Sequence, residues 1–283
     1  MTRTVVVTGA NSGIGLAAAL ELAAHGWEVT GTVRTDAKAD VLRAAAADRG
    51  VRVEVVLCDV ADPASTEKAF AQVAERTGGG PWAVVNNAGF AQPGAIEDVD
   101  DEAVRAQLEV NLVAPLRIAR LVLPAMRERR EGRIVNVSSI AGRVSSPFLG
   151  WYCASKRGLE AATDALRMEV APFGVKVVLI EPGGFGTNIW AEGRGRMRDP
   201  ETSPYAAAYA HGIDLALTRS DAMPPPHWPA RTIRLALETP VPLARYLVGW
   251  DAIAGTAAQE LLPTTLTDLV KRRLAGLPRL RRR

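Results

Sequence analysis

A chain of 283 residues, 48% hydrophobic and 23% charged, has the balance of a soluble globular protein, and no Ser/Gly/Pro linker divides it in two. The net charge of +3 hides an asymmetry: residues 271–283 hold seven Lys or Arg and no acid, leaving 27 basic against 31 acidic residues elsewhere and no compositional case for nucleic-acid binding. Two cysteines, Cys58 and Cys153, exclude a disulfide framework, no apolar run reaches membrane-spanning length, and the N-terminus enters a strand directly without room for a signal peptide, so a cytoplasmic setting is expected.

In chain order, Val5-Val6-Val7 lies in a strand expected near 3–8, and Thr8-Gly9-Ala10-Asn11-Ser12-Gly13-Ile14-Gly15 turns from it into a helix near 14–25. A glycine-rich turn between a strand and a helix N-terminus is the arrangement that binds dinucleotide phosphates: the backbone can approach the pyrophosphate, and the helix dipole favours its charge. Further apolar runs predict strands near 27–33, 51–57, 82–86, 132–138, 174–180 and 244–249. Helices are predicted near 37–48, 63–76, 101–129, 151–171, 229–239 and 264–275. Near-continuous Val/Ile/Leu runs suit a parallel sheet covered on both faces, and right-handed crossovers make it doubly wound. The expected fold is a single Rossmann-type α/β domain of about seven strands, with a C-terminal extension over 250–283. Pro115 and Pro124 should kink or divide the 101–129 helix. Asp36 reads as the N-cap of the helix after the second strand. Residues 188–228 break the alternation with Gly193, Gly195, Pro200, Pro204 and Pro224-Pro225-Pro226, and apolar Ile189, Trp190, Met197, Tyr205 and Tyr209 stand between them. A segment this long beyond the carboxyl end of a strand suits a lid over a substrate.

Tyr152 and Lys156 are four apart in a helical stretch, so phenol and ammonium share a face. A nearby cation lowers a phenol's pKa, and a tyrosine so tuned can exchange a proton with an alcohol or ketone oxygen. His25, His211 and His227 show no metal-ligand spacing, and no metal is expected.

Asn86-Asn87-Ala88-Gly89, Asn111, Ser138-Ser139 and Pro182-Gly183-Gly184-Phe185-Gly186-Thr187 complete an ordered set with the glycine turn and the Tyr152/Lys156 pair. With these motifs the chain, over roughly residues 3–190, resembles the short-chain dehydrogenase/reductase family. The segment Pro147–Lys156 and the extension after 190 are similar to its hydroxysteroid and retinol dehydrogenase branch. The resemblance implies hydride transfer between a nicotinamide and a carbonyl or alcohol carbon of a lipophilic molecule. Tyr152 would be the general acid and base; Lys156 would lower its pKa and hold nicotinamide-ribose hydroxyls. Ser139 would bond the substrate oxygen, with Ser138 turned to the opposite face by strand alternation. Asn111 would hold a water linking Lys156 to solvent.

The family pattern places the cofactor on Gly9, Asn11, Ser12, Gly13, Ile14 and Gly15, with Asp59 and Val60 at the adenine and Asn87, Ala88 and Gly89 along the ribose. Ile180, Pro182, Gly183 and Thr187 would stand at the nicotinamide end. Val33 stands where NAD-type members carry an acid, and Arg34 follows, so NADP(H) is expected ahead of NAD(H). An NAD-preferring alcohol dehydrogenase and a non-catalytic cofactor sensor are the alternatives. Family members pair their long helices between subunits, which implies a homodimer, or a homotetramer. Apolar stripes run through Leu116, Ala119, Leu123, Leu159, Ala162 and Leu166, and Val104, Leu108, Ala161 and Ala165 would face outward. The basic run with interleaved leucines at the C-terminus could also touch anionic lipid.

Overall fold

The structure, a computed structural model, describes residues 3–187, 189–197, 201–211 and 223–277. Its frame is one parallel sheet of strands β1 (Thr4–Thr8), β2 (Glu28–Val33), β3 (Val53–Leu57), β4 (Ala83–Asn86), β5 (Gly132–Val137), β6 (Val175–Pro182) and β7 (Arg245–Val248) in the order β3-β2-β1-β4-β5-β6-β7. All seven fall where the apolar runs place them. The order reverses between β1 and β4, and that crevice is where open α/β sheets bind ligands.

Side chains alternate across the sheet, and both faces are covered. Val5 and Val7 point to one face with Leu22 of helix α1 (Gly13–Ala24), Leu42 of α2 (Asp36–Asp48), and Ile233 and Leu237 of the His227–Glu238 helix. Val6 points to the other with Phe70 of α3 (Pro63–Thr77), Ile118, Val122 and Met126 of α5 (Ala114–Glu128), and Val170 at the end of α6 (Gly150–Val170). Each such side chain contributes about 1.5–3 kcal/mol on burial.

Capping chemistry sets the helix starts. Asp62 caps α3 by accepting from the Ala64 N–H at 2.9 Å, and Pro63 follows at the first turn, where its missing N–H costs nothing. Asp100 caps α4 (Asp101–Leu108) through the Ala103 N–H at 2.8 Å. The cap of α2 is Thr35 rather than Asp36: its hydroxyl accepts from the Lys38 N–H, and Asp36 occupies the first turn, where its charge favours the dipole.

The 101–129 stretch is divided as expected, but by a π-helical turn, Glu109–Val113, between α4 and α5. Pro115 at the head of α5 cannot donate to the carbonyl four residues back, that of Asn111. Pro124 is accommodated inside α5. Two elements were not separately anticipated, the Trp250–Leu261 helix ahead of Thr264–Leu274 and the short Ile189–Arg194 helix. Of the expected lid, positions 188, 198–200 and 212–222 lie outside the described residues, as does the tail beyond Leu277.

Candidate active site

A cavity of about 490 Å³ opens at the β1/β4 crevice, within the range of cofactor and small-molecule sites. The glycine turn forms one wall. Gly9 and Gly13 take φ of +66° and +52°, the left-handed region, and a Cβ on Gly9 would stand 3.1 Å from the Ala88 backbone. Ser12, the N-cap of α1, makes no side-chain capping bond, unlike Thr35, Asp62 and Asp100. The first N–H groups of α1 therefore face the cavity without a side-chain acceptor, which suits a phosphate. Gly15 has a different task. A Cβ there would lie 2.3 Å from the Gly9 carbonyl oxygen and 2.4 Å from Asn87 Nδ2, so this glycine lets α1 pack against the turn and does not line the cavity.

The Asn-Asn-Ala-Gly segment braces that turn. Thr8 Oγ1 accepts from the Asn87 and Ala88 N–H groups, both at 3.0 Å, and Asn87 Nδ2 donates to the Thr8 carbonyl at 2.9 Å. Below it, Asn86 donates to Asn136 Oδ1 and Asn136 to Thr163 Oγ1, each at 2.8 Å, tying β4, β5 and α6 together.

Ser139, Tyr152 and Lys156 meet on the cavity. Ser139 is hydrogen-bonded with the Tyr152 phenol and also accepts from the Ala141 N–H at 3.2 Å. Ser138 points elsewhere, donating to Glu160 Oε1 at 2.8 Å, as strand alternation requires. Lys156, 5% exposed, donates from Nζ to the Val137 carbonyl at 2.9 Å and stands 6.0 Å from the centre of the Tyr152 ring.

Asn111 is fully buried and does not line the cavity. Its amide donates to the Phe90 carbonyl at 2.9 Å and to Ser155 Oγ at 3.0 Å, and its oxygen accepts from the Phe90 N–H at 3.0 Å. The side chain is therefore committed to joining the β4 loop to α6. Gly89 lies between, since a Cβ there would meet Asn111 Oδ1 at 3.1 Å and Lys156 Nζ at 3.5 Å.

The electrostatics correct one expectation. Tyr152 is not lowered: burial pushes its phenol up to about 12, and the Ser139 bond only partly opposes this. Lys156 is driven down to about 8 by burial, opposed by the Glu160 carboxylate. Desolvation is the largest influence on both groups.

At the far end, Val33 closes β2, and Arg34 and Lys38 line the cavity rim. Neither side chain has a hydrogen-bond or ion-pair partner among the described residues. Asp59 and Val60 line the same end; the Asp59 carboxylate accepts from the Ala61 N–H at 3.0 Å, and Arg117 braces the loop by donating to the Val60 carbonyl at 3.0 Å. At the near end Pro182, Gly183 and Thr187 line the cavity, and the Gly184 N–H donates to Asp251 Oδ2 at 2.6 Å. Ile180 is wholly buried in β6 and does not reach it.

Asn11, Ser12, Gly13, Ile14, Asn87, Ala88 and Gly89 stand on the cavity wall as anticipated. Sequence reasoning missed Lys38, Phe90, Val110, Phe185, Glu192 and Arg196. Lys38 had a readable signal, a cation one helical turn beyond Arg34. Arg196 did not: it reaches the site only because residues 189–196 fold back, with its guanidinium 4.6 Å over the Phe90 ring and its carbonyl accepting from Gln92 Nε2 at 3.1 Å.

The segment 201–211 is pinned to the loop after β4. Tyr209 donates to Asp98 and accepts from the Ala95 N–H at 2.7 Å, and Tyr205 donates to Glu97 at 2.5 Å. Both rings pack on Phe148, a non-glycine residue held at φ +65°.

Residues 3–208 match the model of the short chain dehydrogenase family. Retinol dehydrogenase 16 of Rattus norvegicus is 34% identical over 93% of this chain and 86% of its own length. The human 17-beta-hydroxysteroid dehydrogenase type 6 is 34% identical over 94% and 86%. Among solved structures, a short-chain dehydrogenase from Streptomyces avermitilis superposes with a TM-score of 0.78 at 34% identity, covering 97% of both chains. An actinorhodin polyketide ketoreductase with NADPH superposes with a TM-score of 0.76 at 30% identity, covering 89% of this chain and 97% of its own. With the seven-stranded sheet and the cavity at its switch point, these likenesses establish that the chain belongs to the short-chain dehydrogenase/reductase family and is an oxidoreductase acting on CH–OH and C=O groups.

Proposed function

We propose that the protein reduces a lipophilic ketone or aldehyde, and oxidises the corresponding alcohol, with NADP(H) as cofactor and Tyr152 as general acid and base. The observation that carries this reading is the convergence of Ser139, Tyr152 and Lys156 on a cavity whose other end is rimmed by Arg34 and Lys38. The donor set suits a dinucleotide phosphate: Gly9 and Gly13 leave room for backbone approach, the start of α1 has no side-chain cap, and two cations without partners among the described residues stand beyond Val33.

Bound NADP(H) supplies the hydride; the protein's own groups manage the oxygen and its proton. With its pKa near 12, Tyr152 is a phenol at neutral pH and is ready to donate to a carbonyl oxygen as negative charge develops there. Ser139, already bonded with that phenol, presents its hydroxyl to the same oxygen. The Lys156 ammonium, anchored to the Val137 carbonyl, stabilises the phenolate left behind and is placed to hold ribose hydroxyls. Asn111 fixes the Phe90 backbone and, through Ser155, α6. In the oxidative direction the same burial disfavours the phenolate that must accept the proton, so oxidation requires higher pH than reduction.

A lipophilic substrate is supported by Phe90, Phe185 and Ile189 in the wall and by the names of the retinol and hydroxysteroid dehydrogenase relatives. Residues 188–228 serve as its lid. We also assign a homodimer through α5 and α6. The test is an initial-rate screen of hydrophobic ketones, aldehydes and alcohols with NADPH and NADH in parallel. Turnover favouring NADPH supports the reading; turnover favouring NADH overturns the cofactor assignment, and none with either overturns the activity.

A further inference from the structure

We propose that the two C-terminal helices dock this protein in the plane of an anionic lipid surface. The Trp250–Leu261 helix buries Ala252 and Thr256 and turns Trp250, Ile253, Ala254, Ala257 and Leu261 outward. These positions follow the i, i+3, i+4, i+7, i+11 spacing of one helical face. Trp250 is 76% and Leu261 81% exposed, so large apolar side chains stand open at both ends of the stripe. The Thr264–Leu274 helix repeats the pattern: Thr267 is buried, and Leu266, Leu269, Val270 and Leu274 form an exposed stripe. Lys271 Nζ donates to Gln259 Oε1 at 2.5 Å and holds the second helix against the first.

Charge says what covers these stripes. The acids of the two helices are engaged or turned away. Asp251 accepts from the Gly184 N–H, Glu260 pairs with Arg143 at 3.3 Å, and Asp268 lies about opposite Leu266 on its helix. The bases are concentrated at the end of the second helix and beyond: Lys271, Arg272 and Arg273, then Arg279, Arg281, Arg282 and Arg283 with Leu277 and Leu280 among them. Apolar stripes beside a basic run that holds no acid in sequence fit an interfacial helix on anionic lipid. A second copy fits less well, because a twofold contact centred here would bring two sets of Lys271, Arg272 and Arg273 together. No helix among the described residues is long and apolar enough to cross a membrane, so the association is one of lying on the surface. The inference does not depend on the cofactor or substrate assigned above.

The test is co-sedimentation of the full chain with vesicles of phosphatidylcholine alone and of phosphatidylcholine mixed with phosphatidylglycerol. Binding to the anionic vesicles should be at least about tenfold tighter and should weaken with salt. The double variant Leu266→Asp/Leu269→Asp and the double variant Arg281→Glu/Arg282→Glu should each lose most of it. Both should keep the melting temperature and the mass by light scattering. Equal or absent binding to the two vesicle types would overturn the proposal, as would variants that bind like the parent. A fall in mass with Leu266→Asp/Leu269→Asp would also overturn it, by showing that a second copy covers the stripe.

Discussion

Lys156 and Glu160 stand one turn apart on α6, both buried, and the carboxylate opposes what burial does to the ammonium. Glu160 is held by Ser138 Oγ at 2.8 Å and by Arg245 Nη1 at 2.9 Å, which also donates to the fully buried Glu181 at 2.6 Å. Burial and Glu181 raise the Glu160 carboxyl; the Ser138 and Arg245 bonds oppose them. The signs give a pH prediction. Lys156, at about 8, loses its charge as pH rises through that value, and reduction should fall there because the Tyr152 phenolate is no longer stabilised. Glu160→Gln removes the opposing charge, so the alkaline limb of the rate profile should move to lower pH by about one unit. Profiles of both proteins, with melting curves to confirm folding, check this. An unmoved limb would deny Glu160 that influence.

Coenzyme choice is predicted to rest on Arg34. Arg34→Ala should weaken NADPH binding by roughly 1.5–3 kcal/mol, the scale of a charge-assisted hydrogen bond, and barely change NADH. Lys38→Ala should act in the same direction. Paired titrations with the two coenzymes measure it, and equal losses for both would mean that these side chains only support the loop.

Gly15→Ala should injure cofactor binding from outside the cavity. The added methyl would meet the Gly9 carbonyl oxygen and Asn87 Nδ2 well inside contact distance, so the turn must shift. A loss of about 1–3 kcal/mol in stability is expected, with at least a tenfold fall in NADPH affinity. Thermal melting and a fluorescence titration read the two effects. Unchanged affinity would show that the turn tolerates the displacement.

For assembly, the outward surface of α6 is narrower than the sequence suggests. Val104 on α4 is buried, while Ala161, Ala165 and Met168 are exposed at i, i+4 and i+7 of α6, and Val113 and Leu121 are exposed on the π-helical turn and α5. Small residues at such a stripe allow close helix approach. Ala161→Arg/Ala165→Arg should convert the dimer to a monomer with the fold retained. Light scattering of the parent chain that gave a monomer at micromolar concentration would contradict the assignment.

What could be read from the sequence follows from the range of each interaction. Strand positions and the glycine turn are local: Val5-Val6-Val7 and the glycines after Thr8 state their own geometry. The π-helical turn at Asn111 was visible only as a break, because Pro115 removes a donor without saying how the helix accommodates it. The Trp250–Leu261 helix was overlooked because Gly255 and Thr256 weaken its propensity, and its contacts with Arg143 and Gly184 are long-range. The rise in the Tyr152 pKa is not legible in the sequence, because spacing reveals a neighbouring charge but not the depth of burial.

The central claim is that Tyr152 moves the proton at a carbonyl oxygen, and Tyr152→Phe tests it most directly. The ring and its packing remain, and only the hydroxyl bonded with Ser139 is lost. Single-turnover reduction of a hydrophobic ketone should fall by roughly 10²–10⁴-fold while NADPH affinity stays within about twofold of the parent. Turnover close to that of the parent chain, with cofactor bound, would contradict the account.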